Sequence, residues 1–408
     1  MSFNQNSFAD TVDHIPTLEQ HYPLRSPVGS HESSRFASSR TDATNLPEEF
    51  YQKYQVIEYV ASGLTASVYK AVCTQSHQIV CAKIINKAVY EECYEEVNSF
   101  SLNAAQEAKI MKQFNHPNIP RLLDFFENSD KACIVMEFKD GKTLLELIND
   151  GTDSALSNLV IHHLFVQLAQ AVTYIHTCGF CHRDIKPENI LVDDHYQLAL
   201  IDFGFCAPIN SKAKTLDESK NLSNVCGTSL YLAPEVILDE RYNGSLADMW
   251  SLGIVLYTMV YKGVPYELEE HEFDQDEIIF EKIVRYSYEH EILTNRNTSR
   301  LEGITFFCRD LLKKLLEPNT EKRLQSCDLF FHPYISVENN GNQLTKAMTD
   351  LPRYIKQSIP IQEVKTSICN HKSITIENRG LLANKMKKNN SPIFVPRPQN
   401  VPFLKMKF

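Results

Sequence analysis

The sequence predicts an α+β protein of two lobes, a small β-rich one followed by a larger helical one. Three observations lead there. The chain has 408 residues, more than a single hydrophobic core usually organises. Between Tyr54 and Phe138 short β-rich runs dominate, and one main helical pattern interrupts them. Beyond Gly141 the apolar residues recur at helical spacing.

The elements follow in order. Residues 1–49 are rich in Ser, His, Asn and Pro without lasting periodicity and read as a disordered segment. The first lobe occupies 50–139, with strand-like runs at 55–60, 67–72, 78–85 and 132–138. Its helix is predicted over 103–114, where Ala108, Met111 and Lys112 stand at helical spacing. The second lobe occupies 140–336. There Leu164, Leu168, Ala171, Val172 and Ile175 form one apolar stripe, and Gly179 follows where a C-terminal cap belongs. Residues 248–260 are apolar nearly all round, which predicts a buried helix. Residues 337–408 form a basic tail, expected to be flexible, and no internal repeat is evident.

Composition excludes several function classes. Hydrophobic residues at 43% and charged ones at 23% describe a soluble globular chain. No apolar run reaches the ~18 residues of a membrane span, and the N-terminus lacks a signal-peptide core, so no membrane partner is expected. Eleven scattered cysteines suit reduced thiols, hence an expected cytoplasmic location that can extend to the nucleus as well. Cys178 and Cys181 have redox-pair spacing but no second ligand pair beside them, and read as ordinary thiols. The net charge is −10, unevenly spread. Residues 51–334 carry 26 basic and 40 acidic side chains, whereas 335–408 carry twelve basic and four acidic. An acidic body with a basic tail is not the profile of a nucleic-acid-binding body.

The chemistry concentrates in two blocks. His182-Arg183-Asp184-Ile185-Lys186-Pro187-Glu188-Asn189-Ile190-Leu191 is followed by Asp202-Phe203-Gly204. The eighteen residues from Asp184 to Asp202 leave room for one short hairpin between two turns. Three residues recur by chance; two blocks in this order and at this spacing are far more specific. They resemble the catalytic loop and metal-binding turn of eukaryotic protein kinases of the Ser/Thr type. The resemblance runs from about residue 54 to 335 and implies the two-lobed protein-kinase fold, with ATP and Mg²⁺ as cofactors and proteins as substrates.

The resemblance assigns roles residue by residue. Asp184 would accept or orient the substrate hydroxyl, and Lys186 would neutralise the transferring phosphate. Asn189 and Asp202 would hold Mg²⁺. Lys83, ending Val80-Cys81-Ala82-Lys83, would touch the α- and β-phosphates and be oriented by Glu107, nine residues before His116-Pro117-Asn118. Glu91, Glu92, Glu95 and Glu96 compete for that partnership but read as a solvated acidic run. The lid over the phosphates falls on 59–68, with Gly63 retained and Ala61 and Ala66 where glycine is usual. Alanine costs little there unless a positive φ is required. Val68 and Cys81 above and Leu191 below would sandwich the adenine, with Met136 as gatekeeper and Glu137, Phe138 and Lys139 as the hinge. Lys186 and Thr228, the latter in Cys226-Gly227-Thr228, both follow the Ser/Thr pattern. Asp248 would anchor the catalytic loop, and Glu235 should pair with Arg323.

Substrate preference stays open. Of three positions where kinases of basic substrates carry acids, Glu188 remains acidic while the others are Thr143 and Thr258. Seven acids between 267 and 277 read either as a solvated loop or as a docking place for a regulatory partner or for the chain's own tail. The activation segment, 202–235, is expected to be a phosphorylation switch, with Ser223 ahead of Thr215 and Ser219 as acceptor and Arg183 as its basic partner. The alternative from another class is a pseudokinase scaffold that binds partners without efficient catalysis, which the altered lid permits.

Overall fold

A computed structural model describes residues 45–336, apart from 64, 95–102, 151–155, 211, 267, 269–271, 273–274 and 297–305. The first lobe is built on an antiparallel sheet of β1 (Tyr54–Ser62), β2 (Ala66–Cys73), β3 (Ile79–Asn86), β4 (Leu122–Glu127) and β5 (Lys131–Glu137). Their order is β1-β2-β3-β5-β4. Val80, Ala82 and Ile84 alternate along β3 onto one face of this sheet and pack with Tyr69 and Val135, while Cys81 and Lys83 take the other face. The period-2 alternation thus delivers Cys81 and Lys83 to the same side.

Residues 45–49 correct the expected boundary. They fall in the segment expected to be disordered, yet Leu46 is buried and Glu48–Lys53 forms a helix (α1) whose Phe50 is fully enclosed. Phe50 meets Tyr54 and Phe126 ring to ring at 5.7 Å each. Two more elements were not predicted: a helix α2 (Lys87–Tyr94) after β3, and strand β4. Glu91 and Glu92 belong to α2; Glu95 and Glu96 lie outside the described residues. The expected helix is α3 (Ala104–Met111), capped by Asn103, whose side chain accepts from Gln106 N–H at 2.7 Å. It ends before 112–114 because Gln113 and Phe114 switch to i→i−3 bonds.

The second lobe hangs on two long helices, separated in the chain by the short pieces that carry the chemistry. A short pair, β6 (Lys142–Thr143) and α4 (Leu144–Asn149), leads to α5 (Asn158–Thr177). That helix buries the predicted stripe and ends at Cys178, with Gly179 left-handed (φ 86°) just beyond, as the cap signal predicted. Next come β7 (Phe180–Cys181), a 3₁₀ turn at Pro187–Asn189, β8 (Ile190–Val192), β9 (Leu198–Leu200) and β10 (Ala207–Pro208). α6 (Leu216–Ser219) and α7 (Pro234–Leu238) lie in and after the activation segment. α8 (Gly244–Tyr261) contains the helix predicted over 248–260 and is buried on nearly every side, including Asp248 and Thr258. Four helices complete the lobe: α9 (Asp276–Arg296), α10 (Phe306–Leu315), α11 (Ser326–Leu329) and α12 (Pro333–Ser336). The small β-rich lobe and the large helical lobe are both present as predicted.

Candidate active site

The catalytic loop is fixed from behind. Asp248, fully buried on α8, accepts the N–H groups of His182 at 2.7 Å and Arg183 at 2.8 Å, and also meets His176 Nε2 at 2.9 Å. Arg183 itself is left-handed (φ 69°), a conformation the two Asp248 bonds help to hold. Below it, Glu235 receives Arg323 through a buried pair that includes Nη2–Oε2 at 2.8 Å. Sequence reasoning named Asp248 and the Glu235–Arg323 pair but missed His176, whose only signal is its place near the end of α5.

Four groups converge on the Asp184 carboxylate. Thr228 donates to Oδ1 through both its N–H and its hydroxyl, each at 3.0 Å. Asn189 Nδ2 donates to Oδ2 at 2.8 Å, and Lys186 Nζ lies 3.1 Å from the same oxygen. Lys186 also donates to Thr228 Oγ1 at 2.6 Å. Burial works against the Lys186 charge, but Asp184 and Glu188 outweigh it and hold the ammonium protonated. Gly227 is required beside this cluster: its φ is 101°, and a Cβ there would stand 2.4 Å from the Arg183 carbonyl.

A second cluster spans the two lobes. Lys83 Nζ donates to Glu107 Oε1 and to Asp202 Oδ1, at 2.8 Å each. The 24-residue gap between Lys83 and Glu107 is taken up by α2 and by residues outside the described set, leaving the register of α3 intact. Burial would discharge the lysine, yet the two carboxylates overcome it and raise its pKa. Glu107 is shifted up by burial despite Lys83. For Asp202 the balance goes the other way: burial raises it, but Lys83 wins and brings it down to about 2. Asp202 is left-handed (φ 62°), and its neighbour Phe203 packs against the rings of His182 at 5.0 Å and Phe114 at 5.4 Å.

The cleft between the clusters has an apolar lining. Cys81 pairs across the sheet with Met136, and Val68 with Lys83, so these side chains share the cleft face. Cys81 is a neutral thiol, pushed up to about 11 by burial. Leu191 is the partly exposed residue of β8, between buried Ile190 and Val192. At the hinge the Glu137 N–H is already given to the Arg121 carbonyl at 3.0 Å, and Lys70 Nζ stands 5.0 Å over the Phe138 ring. Lys139 ties to the Glu137 carboxylate at 3.4 Å. In the lid, Ala61 is strand-paired with Val68, and the Gly63 N–H donates to the Ala66 carbonyl at 2.8 Å. None of the three has a positive φ, so the alanines add no backbone strain. Leu64, inside the same turn, lies outside the described residues.

Two positions considered for substrate charge have structural occupations. Thr143 caps α4 in a reciprocal box with Glu146, and Thr258 is fully buried with its hydroxyl on the Ile254 carbonyl at 2.9 Å. Glu188 differs, since its Oε2 is buried with no hydrogen-bond partner among the described residues. Burial raises its pKa against the pull of Lys186. Cys181 is buried and donates to the Ala207 carbonyl at 3.4 Å.

Comparison with known proteins agrees with this geometry. The model of the protein kinase domain matches residues 54–335. The serine/threonine-protein kinase cds1 of Schizosaccharomyces pombe is 33% identical over 303 residues, 72% of this chain and 61% of that protein. Myosin light chain kinase A of Dictyostelium discoideum is 30% identical over 294 residues, covering 71% of this chain and 90% of its own length. This chain therefore spans less than two thirds of cds1 but most of the second relative. Among solved structures, Rad53 residues 1–466 in complex with AMP-PNP superposes with a TM-score of 0.52 at 28% identity, covering 70% of this chain and 66% of that one.

Proposed function

The chain belongs to the protein kinase family, with a domain of the serine/threonine type, and from that premise we propose that it transfers the γ-phosphoryl group of Mg-ATP to serine or threonine hydroxyls of other proteins. The observation that carries this reading is the Asp184 carboxylate, oriented by Thr228, Asn189 and Lys186 together. A substrate hydroxyl docked beside it can pass its proton to Asp184 as its oxygen bonds to the γ-phosphorus and the bond from that phosphorus to the bridging oxygen breaks, with ADP leaving. Lys186 is held where it can meet charge on the transferring group, and Lys83, fixed by Glu107, can hold the remaining phosphates. AMP-PNP in the Rad53 relative supports ATP as the nucleotide.

The residues present fit a magnesium ion. Asn189 spends its Nδ2 on Asp184, which leaves its side-chain oxygen for a cation. Asp202 is an ionised carboxylate with its side chain 44% open to the cleft. Two hard oxygen donors suit an ion that completes its shell with water and phosphate oxygens. Asn189 and Asp202 would hold such an ion, which would supply positive charge against the phosphates.

Regulation through the activation segment is part of the proposal. Ser223 is exposed, while Thr215 caps α6 and Ser219 is buried with its hydroxyl on the Leu216 carbonyl. Arg183 Nη2 is buried without a partner among the described residues, which supports a phosphate on Ser223 as a ligand for it. A regulatory partner or the basic tail at 267–277 is proposed as a second control. Within that segment Glu272 pairs with Lys282 at 3.5 Å, and Asp276 receives the Ser229 hydroxyl at 2.5 Å, so Asp276 adjoins the loop that carries Thr228.

Asp184→Asn tests the core of the reading. Turnover on a peptide substrate should fall by roughly 10²- to 10⁴-fold while fluorescent-nucleotide binding is kept. Unchanged turnover removes Asp184 from the role. An unmodified chain that binds nucleotide yet phosphorylates no peptide favours the pseudokinase scaffold instead.

A further inference from the structure

Tyr242 lies between α7 and α8, only 1% exposed, and takes no part in the chemistry above. Its atoms nevertheless meet three residues in two parts of the site, Leu222 and Asn224 of the activation segment and Arg183 of the catalytic loop. Its backbone closes a two-way bridge with the activation segment, N–H to the Leu222 carbonyl at 2.8 Å and carbonyl from the Leu222 N–H at 3.3 Å. Its hydroxyl donates to the Asn224 carbonyl at 2.8 Å, and Arg183 Nη1 approaches the same oxygen at 3.5 Å. Four residues beyond Asn224, Thr228 grips Asp184.

The state of Arg183 gives this arrangement its weight. The residue is 6% exposed, and no carboxylate among the described residues pairs with it. Its Nε donates to the Phe205 carbonyl at 2.6 Å, and Nη2 meets no partner among the described residues. A buried guanidinium needs oxygen acceptors, and the side-chain oxygen it reaches belongs to Tyr242. Burial raises the Tyr242 pKa, so the phenol stays neutral and keeps its proton for Asn224.

We propose that Tyr242 is a positioning residue for phosphoryl transfer. Its hydroxyl ties the activation segment at Asn224 to Arg183 of the catalytic loop, and so keeps Thr228 on Asp184 before any phosphate is added to the segment. The phosphate proposed on Ser223 would take the free Nη2 arm and leave the Nη1 arm with Tyr242. The tie rests on the kinase reading for its consequence, not for its geometry.

Tyr242→Phe removes one oxygen and keeps the buried ring. In full-length, phosphatase-treated protein, kcat should fall roughly tenfold, the cost of one hydrogen bond whose partners remain buried. The KM for ATP should stay within about twofold, because the Lys83 cluster is untouched. Amides of 222–228 should exchange with deuterium faster, while those of α8 keep the rate of the unmodified chain. Faster exchange spread through α8 would mean a packing role and overturn the proposal, as would unchanged exchange at 222–228 or unchanged kcat. The exchange measurement does not depend on catalysis, so failure of the kinase reading and failure of the tie are told apart.

Discussion

Replacing Thr228 by alanine removes a hydroxyl that does two things at once: it donates to Asp184 Oδ1 at 3.0 Å and accepts from Lys186 Nζ at 2.6 Å. Hydrogen bonds to charged partners contribute about 1.5–3 kcal/mol each. The two losses do not add, because the Thr228 N–H still reaches Asp184 at 3.0 Å and Lys186 keeps its own contact with that carboxylate at 3.1 Å. A net loss of about 1.5–2 kcal/mol is therefore expected in the transition state, or roughly 10- to 30-fold in kcat. The KM for ATP should hardly move, since Lys83 and Glu107 are not involved. Steady-state phosphorylation of a serine peptide, with ATP varied, separates the two parameters. Thr228→Ser keeps the hydroxyl and should stay within about threefold of the parent. If Thr228→Ala matches the parent in kcat, or if serine fails as badly as alanine, the hydroxyl does not orient the acid–base pair and the geometric argument is wrong.

Three further outcomes are expected. His116 is held by burial at a pKa of about 4 against an ordinary 6.5, so between those values the unfolded chain binds the extra proton. Its contribution is complete above pH 6.5 and is lost on acidification, by about 2 kcal/mol at pH 5; in denaturant titrations at pH 7 and 5, His116→Gln should show a smaller acid loss than the parent, and an equal loss refutes the assignment. Ser223→Ala should lower the activity of the mature enzyme several-fold, with mass spectrometry finding phosphate on Ser223 of the parent; an unphosphorylated parent with full activity would mean the segment is ordered without it. Removal of the tail after Ile335 should raise activity at low salt, with the gain shrinking as salt screens the charges. Equal activities at both salt concentrations would exclude restraint by the tail.

The sequence was most legible where chemistry restricts residue type. Lys83, Glu107, Asp184, Asn189, Asp202 and Thr228 sit in short blocks of fixed order, and the structure brings them into two clusters joined across the cleft. Glu107 is legible by its place nine residues before His116 rather than by its distance from Lys83, a gap that holds α2 and residues outside the described set. Elements defined only by packing were harder to read. Strand β4, Leu-Leu-Asp-Phe-Phe-Glu, is half-buried along almost its whole length, so it lacks the alternation that marks a strand. Residues 45–49 are locally polar, and their order comes from Leu46 and Phe50 reaching a core formed by strands later in the chain. Tyr242 and His176 are single residues whose partners lie 18 and 72 positions away, a relation that no local pattern carries. Thr143 and Thr258 are legible in the sequence only as positions without the acid that a basic substrate would call for; that they serve as a helix cap and a core packer is visible only in the structure.

The helix formed by residues 48–53 has a practical consequence for anyone isolating or transplanting this catalytic body. The family match begins at Tyr54, which makes that residue the natural place to cut. A fragment started there would lose Leu46 and Phe50 and leave Tyr54 and Phe126 facing water across a vacated socket. Loss of one enclosed phenylalanine alone costs about 3–5 kcal/mol, a large share of the ~5–15 kcal/mol that keeps a domain folded. Asn45 also reaches the hairpin between β4 and β5, through Asp130 at 3.2 Å and Asn128 at 2.9 Å. A soluble, active fragment or chimera should therefore begin upstream of Asn45, and low yield from a shorter one would reflect the cut rather than the kinase.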